Sequence, residues 1–212
     1  MLLCTNGLLT DFNYKGENKM KVMKSGLLLV VVVIMLLVTT NAAVYSHFPD
    51  VPIDADYAEA VDYLAELGIF TGDDQGNFNP DKTITRAEFA TIMVRMAGEE
   101  DRAKTVTTSS FSDVPSSHWA CGYVTVAVEM GFVNGYGNGK YGPGDTLTYE
   151  QGVAIIIRYL GLEDEASESG GWVAGYLHVA EIYKITSNLT LEQGRKLLRK
   201  QVAILTHNAI SE

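Results

Sequence analysis

Arg86 stands near the start of the stretch ITRAEFATIMVRM, Ile84 to Met96. Thr85 and Glu88 have the spacing of a capping box, in which the hydroxyl takes one unpaired helix N–H and the carboxylate reaches back to another. Phe89, Ile92, Met93 and Met96 follow at the spacing of one apolar helix stripe. A helix therefore starts here, and Arg86 falls in its first turn, where the partial positive charge of the helix end disfavours a cation. A guanidinium beside free backbone N–H groups is a site for a carboxylate, which its planar fork can grip with two parallel hydrogen bonds. The competing reading is an ion pair with Glu88 or with an Asp of a neighbouring segment.

Other chemistries find little support. No GxSxG, HExxH or P-loop occurs. GYGNGKY, Gly135 to Tyr141, has a Gly-Lys but lacks both the Ser or Thr after it and the glycine five places before Gly139. His47, His118, His178 and His207 are scattered singly, so neither catalysis nor a cofactor is expected. Asp73, Asp74, Asn77 and Asp81 surround Gly76, but a calcium loop with Gly76 at its sixth place would start on Thr71 and put Gln75 fifth. Turn formation accounts for these residues, and no metal is expected.

The 212 residues are 47% hydrophobic and 20% charged, enough to build a packed core in one or two domains. The net charge of −10 argues against nucleic acid, whose partners carry a basic face, and against anionic membrane surfaces. Cys4 and Cys121 are far apart with no CxxC pair, so neither a zinc site nor a disulfide framework is indicated. Cys121 is expected to be buried as a small apolar side chain.

MKVMKSGLLLVVVVIMLLVTTNAA, from Met20 to Ala43, reads as a signal peptide. Lys21 and Lys24 precede a twelve-residue apolar run, Leu27 to Val38, which is short beside the roughly 20 residues of a membrane span. Small residues suited to cleavage follow, and no stable membrane insertion is expected after it. Residues 1–19 resemble neither a signal start nor a domain, so translation is expected to begin at Met20.

The remainder repeats. FPDV at Phe48 returns as FSDV at Phe111, ELGIFTG at Glu66 as EMGFVNG at Glu129, and ITRAE at Ile84 as LTYEQ at Leu147, all in one register. A more divergent copy follows: WACGYVTVA at Trp119 matches WVAGYLHVA at Trp172, and RKQVAILTHNAI from Arg199 reads as another closing helix. The units run over 46–98, 111–161 and 172–210, with 99–110 and 162–171 of linker composition. Each consists of a first helix (Tyr57 to Leu67, His118 to Met130, Trp172 to Tyr183), a turn rich in Gly and Asn, and a capped second helix. Two such short helices cannot bury their apolar stripes alone, so the three hairpins must pack on one another as a mainly α, pseudo-threefold bundle.

These motifs together, FxDV, the helix with Trp-Ala, the GYGxGxYxP turn and ITRAEFA, resemble the S-layer homology module. The resemblance covers nearly the whole chain from Ser46 to Ile210. It implies a three-pronged spindle of helical hairpins, no enzymatic activity, and binding of secondary cell-wall polysaccharide attached to peptidoglycan, often through ketal-linked pyruvate. The chain would then be secreted and held in a Gram-positive-type cell wall or S-layer. The resemblance places Arg86, Asp50, Asp113, Trp119, Gly135 and Tyr136 in grooves between units, with Arg199 as the equivalent arginine of the third unit. On that reading Trp119 and Tyr136 offer flat faces to sugar C–H groups, and Asp50 or Asp113 accepts sugar hydroxyls. An envelope protein, bound in grooves that have lost the glycan, is the alternative partner.

The units are unequal. Unit two has Tyr149 and Gln151 where unit one has Arg86 and Glu88, although Thr148 and Gln151 keep a T-x-x-Q box. Leu198 to Gln201 align with TRAE and keep an arginine, whereas a rival alignment on LTLEQG (Leu189 to Gly194) keeps none. Unit one has Asp56 in the place of Trp119; unit three lacks FxDV and has Lys184 in the place of Gly131. At most two grooves thus retain the guanidinium.

Overall fold

A computed structural model describes residues 46–211; the expected signal peptide and the segment before it lie outside these residues. Eight α-helices are present among them: α1 (Ala58–Glu66), α2 (Arg86–Met96), α3 (Glu100–Thr105), α4 (Cys121–Glu129), α5 (Tyr149–Tyr159), α6 (Glu163–Glu168), α7 (Ala174–Ile182) and α8 (Arg199–Ile210). The structure is mainly α. The β content among the described residues consists of three isolated bridges, Thr83 with Leu198, Thr85 with Thr146 and Thr148 with Lys196.

Those bridges flank a closed ring of backbone hydrogen bonds. Ile84 N donates to Leu197 O at 3.0 Å, Leu197 N to Leu147 O at 2.9 Å, and Leu147 N to Ile84 O at 3.2 Å. Each of the three residues sits two places before the first residue of a long helix, α2, α5 or α8, and each is fully buried. An apolar residue just ahead of a helix N-cap commonly packs on the fourth helical position. Here those positions are Phe89, Gly152 and Val202, and a Cβ on Gly152 would strike Leu197 Cδ1. The glycine lets the Leu197 side chain into the centre.

Packing runs chiefly between units. α4, the first helix of unit two, lies on α2 of unit one; α7 lies on α5; and α1 closes the circle on α8. The hairpin expected within each unit is therefore open, and each long helix finds its apolar partner in the unit that follows. The physical reason lies in the connecting segments: the stretches of linker composition hold α3 and α6, which pack on α4 and α7. Gly122 of α4 and Gly175 of α7 make this possible, since a Cβ on either would collide with the carbonyl oxygen of Ala103 or Ala166. Cys121 is buried beside Gly122, as expected.

The helix starts differ in how they are capped. At α2 the box is complete: Glu88 N donates to Thr85 Oγ1 at 3.2 Å and Thr85 N to Glu88 Oε2 at 2.8 Å. At α5 the T-x-x-Q box is half made, because Thr148 N donates to Gln151 Oε1 at 3.1 Å while Thr148 Oγ1 is buried with no partner. At α8 Leu198 has no hydroxyl, and only the bond from its N–H to Gln201 Oε1 at 2.9 Å is made. α8 begins at Arg199, so Leu198 stands at the N-cap place that Thr85 and Thr148 hold at α2 and α5.

Candidate functional site

The aspartates of FPDV and FSDV turn inward. Asp50 accepts from Phe78 N at 2.7 Å and Asn79 N at 2.6 Å, one bond on each carboxylate oxygen; Asp113 does the same for Tyr141 N and Gly142 N, both at 2.9 Å. A turn leaves backbone N–H groups unpaired, and a carboxylate with two oxygens satisfies two of them. Burial alone would raise the Asp113 carboxyl, but the N–H groups of Tyr141 and Gly142 outweigh it and hold the group below its ordinary value. Neither aspartate lines a groove. Asp73 is likewise occupied by its own turn, accepting from Gln75 N, Asn77 N and Asn79 Nδ2, and among the described residues no cluster of His, Cys, Asp or Glu is arranged to hold a metal.

The turns so fixed receive the arginines. Arg86 donates from Nε to Tyr141 O at 2.9 Å and from Nη2 to Asn134 O at 2.6 Å, with its guanidinium carbon 4.5 Å from the centre of the Tyr141 ring and 4.8 Å from that of Tyr136. Arg199 does the same in the turn of unit one: Nε to Phe78 O at 2.7 Å, Nη2 to Thr71 O at 3.2 Å, and the carbon 4.9 Å from the Phe78 ring and 5.5 Å from that of Phe70. Burial lowers the Arg199 guanidinium from its ordinary value. Glu88, the partner that an ion-pair reading assigned to Arg86, is taken by Lys82 at 2.8 Å and by the α2 cap. Among the described residues neither Arg86 nor Arg199 is paired with a carboxylate.

The backbone at these helix starts is already used. Arg86 N donates to Asp145 O and Ala87 N to Pro143 O; Arg199 N donates to Lys82 O and Lys200 N to Pro80 O; Tyr149 N donates to Arg195 O. The free helix N–H groups expected beside Arg86 are thus spent on the neighbouring turn.

Two open grooves result, of about 230 and 260 Å³, below the ~300–1,000 Å³ of a cleft that encloses a small molecule. The first is lined by Arg199, the turn from Phe70 to Asp73, Glu88, Thr91, Ile92 and Arg95 of α2, and Trp119. The second is lined by Arg86, the turn from Val133 to Tyr136, Gln151, Ala154, Ile155 and Arg158 of α5, and Trp172. Most of their walls correspond, with Asp73 and Glu88 of the first standing where Tyr136 and Gln151 stand in the second, and each draws on three units. Of the residues expected together, Arg86, Gly135 and Tyr136 share a groove, whereas Trp119 belongs with Arg199. Trp119 is 61% exposed and Trp172 58%. Gly135 is required by close approach, since a Cβ there would meet the Phe111 ring and Lys140 O.

Trp172, Arg95 and Arg158 complete the grooves and were not expected there. The signal was present, because Arg158 stands to Arg95 as Tyr149 does to Arg86, and Trp172 aligns with Trp119. The corresponding place between units three and one keeps a smaller cavity of about 190 Å³, lined by Asp56, the turn from Asn188 to Leu191, and Lys200, Gln201 and Ile204 of α8, but without the groups of the other two: Tyr149 replaces Arg86 and is buried, Asp56 replaces the tryptophan, and Asn208 replaces Arg95, donating to Ile185 O and Ser187 O at 3.0 Å each. No helix among the described residues is long and apolar enough to cross a membrane.

Comparison with known proteins identifies two of the repeated segments. The S-layer homology domain family matches residues 47–90 and 110–151. The chain is 36% identical over 170 residues to a "Cell surface protein" of Thermoanaerobacter kivui, 37% over 139 residues to a "Middle cell wall protein" of Brevibacillus brevis, and 40% over 121 residues to a "Surface layer protein" of Brevibacillus choshinensis. These matches cover 79%, 65% and 57% of this chain but only 22%, 13% and 11% of the relatives. With two segments matched by the family and the same motifs, turns and helix starts built into each, residues 47–90 and 110–151 are S-layer homology domains.

Proposed function

We propose that this chain anchors itself to the bacterial cell wall, without catalysis, by holding a carboxylated secondary wall polysaccharide in the grooves around Arg86 and Arg199. One observation carries the reading: both guanidinium groups are fixed at a groove mouth by backbone carbonyls and aromatic rings, and among the described residues neither has a carboxylate partner. A cation held that way is compensated by an anion from outside. The exposed faces of Trp119 and Trp172 suit the C–H faces of a pyranose, and a pyruvate ketal supplies a carboxylate on the same sugar. The surface and wall proteins among the relatives support a wall location. Asp50 and Asp113 act as turn clamps in this reading and touch no sugar.

The test is sedimentation of the protein with purified wall sacculi, before and after extraction of the polysaccharide and after mild acid removal of ketal pyruvate. Binding that disappears with the polysaccharide and with the pyruvate supports the reading. Binding unchanged by both treatments overturns it and points to an envelope protein as partner.

A further inference from the structure

Each groove contains a second guanidinium in a setting unlike the first. Arg158 donates from Nε to Glu163 Oε1 at 2.9 Å, and the Tyr176 hydroxyl donates to the same oxygen at 2.7 Å. Arg95 donates from Nε to Glu100 Oε1 at 2.9 Å, and the Tyr123 hydroxyl donates to it at 2.8 Å. The guanidinium carbons lie 5.9 Å from the Tyr176 ring and 6.0 Å from the Tyr123 ring. The long helix supplies the arginine, the short helix the glutamate and the next unit the tyrosine, in both copies.

This arrangement separates the two arginines of a groove by charge. Arg86 is an uncompensated cation, whereas the charge of Arg158 is neutralised by Glu163 on its Nε side. Its Nη groups have no hydrogen-bond partner among the described residues and line the groove with Arg86 and Trp172. A neutralised guanidinium still donates hydrogen bonds, but its field no longer selects for an anion. The groove around Arg199 differs in two ways: Asp73 and Glu88 stand on its wall and weaken the positive field there, and Arg95 Nη1 already donates to Ile69 O and Thr71 Oγ1 at 3.4 Å each, which leaves Nη2 as its donor toward the groove.

A comparison inside the molecule supports a joint task. At the third interface the first arginine, the second arginine and the tryptophan are all replaced, by Tyr149, Asn208 and Asp56, and the Asn208 amide is occupied by two carbonyls. The three groups are present together twice and absent together once.

Resting on the carboxylated-glycan reading above, we propose that Arg158, and Arg95 in its copy, is a second ligand-binding residue that donates to a neutral oxygen of the sugar, an amide carbonyl or a hydroxyl. Arg86 or Arg199 holds the single carboxylate, so each groove selects a monoanionic saccharide over a dianionic one. Glu163 and Glu100 are positioning residues that set this preference by cancelling the second charge.

The experiment is calorimetric titration of the full protein carrying Trp119→Ala, so that the Arg86 groove reports, with a methyl hexopyranoside bearing a pyruvate ketal over a series of salt concentrations. The double variant Arg158→Gln/Glu163→Gln removes the donor and keeps the net charge; it is expected to bind about 10-fold more weakly, the loss of roughly one hydrogen bond, with an unchanged salt dependence. Arg158→Lys, which retains the ion pair, is expected to lose a similar factor at an unchanged melting temperature. Glu163→Gln alone is expected to steepen the salt dependence and to gain binding of a hexose 6-phosphate, the dianionic probe. Undiminished binding by the double variant, or a salt dependence flattened as far as in Arg86→Gln, overturns the proposal while leaving the carboxylate reading intact. No binding of the ketal by the Trp119→Ala parent, with its melting temperature preserved, overturns both.

Discussion

Arg86 and Tyr141 hold each other from both ends: the guanidinium Nε donates to the Tyr141 carbonyl at 2.9 Å, and the Tyr141 hydroxyl donates to the Arg86 carbonyl at 3.0 Å. The two residues belong to different units and Tyr141 is fully buried. The arginine that faces the groove is therefore also part of the joint between units one and two. Arg86 stands half-buried rather than free at a helix start, contrary to what its position in the sequence suggests.

Arg86→Ala is accordingly expected to destabilise the protein by about 1–3 kcal/mol, because it leaves the carbonyls of Asn134 and Tyr141 without their donor. Urea denaturation checks this. A midpoint equal to that of the unaltered protein would show that the two carbonyls are satisfied by water at no cost.

Trp119→Ala and Trp172→Ala are expected to behave oppositely. Each side chain is more than half exposed, so melting temperatures stay within about 2 °C of the starting protein. Sedimentation with sacculi falls in each variant, and falls further when the two are combined. A single variant that abolishes all binding would show that the grooves do not act as two separate sites.

Gly122→Ala and Gly175→Ala drive a methyl group into the carbonyls of Ala103 and Ala166, which are backbone atoms and cannot rotate away. Each is expected to cost at least 1–3 kcal/mol, in the usual range of overpacking. Thermal unfolding measures it, with Gly144→Ala as control, since a Cβ on Gly144 meets nothing.

Acid should loosen the turns. The N–H groups of Tyr141 and Gly142 outweigh burial to hold Asp113 low, and Tyr176 and Arg158 lower Glu163. A carboxyl whose folded pKa lies below its unfolded one contributes its full stability above the unfolded value, about 4, and loses it as pH falls through the folded value. The melting temperature is therefore expected to hold between about pH 7 and 5 and to drop below about pH 4. Asp113→Asn should start lower and drop less; an acid drop as large as in the parent would assign the transition to other carboxyls.

Tyr149→Arg is not expected to create a third binding site. Asp56 and Asn208 would still stand where a tryptophan and a second arginine complete the other grooves. Calorimetric stoichiometry should remain at two, and a rise to three would show that a single guanidinium suffices.

Much of this was legible in the residues. The register that joins Ile84 to Leu147 shows the two to be equivalent, though not that they meet Leu197 in a ring, and the capping box at Thr85 marks the start of α2 almost to the residue. Arg199 was found because its neighbours keep a helix pattern even without a Thr cap. Lys184 takes φ 53° where Gly68 and Gly131 take 70° and 77°, so the backbone turn survives a substitution that hides it in the sequence. What could not be read was which unit supplies which wall. A repeat reveals equivalence between positions but not their partners, so the sequence does not tell that Trp119 shares a groove with Arg199 and not with Arg86. The short helices α3 and α6 were also hidden: at six residues each they are held by α4 and α7 rather than by a periodic pattern of their own.

The ring through Ile84, Leu147 and Leu197 means that this chain has no interchangeable parts. Because each groove takes its turn, its tryptophan and its arginine from three different stretches, a change inherited by one stretch is felt as a loss in another's groove. Shortening the chain before Arg199 would remove the guanidinium from a groove whose turn lies more than a hundred residues upstream. The third interface does without arginines and tryptophan at no cost to either groove, because Tyr149, Asp56 and Asn208 line neither.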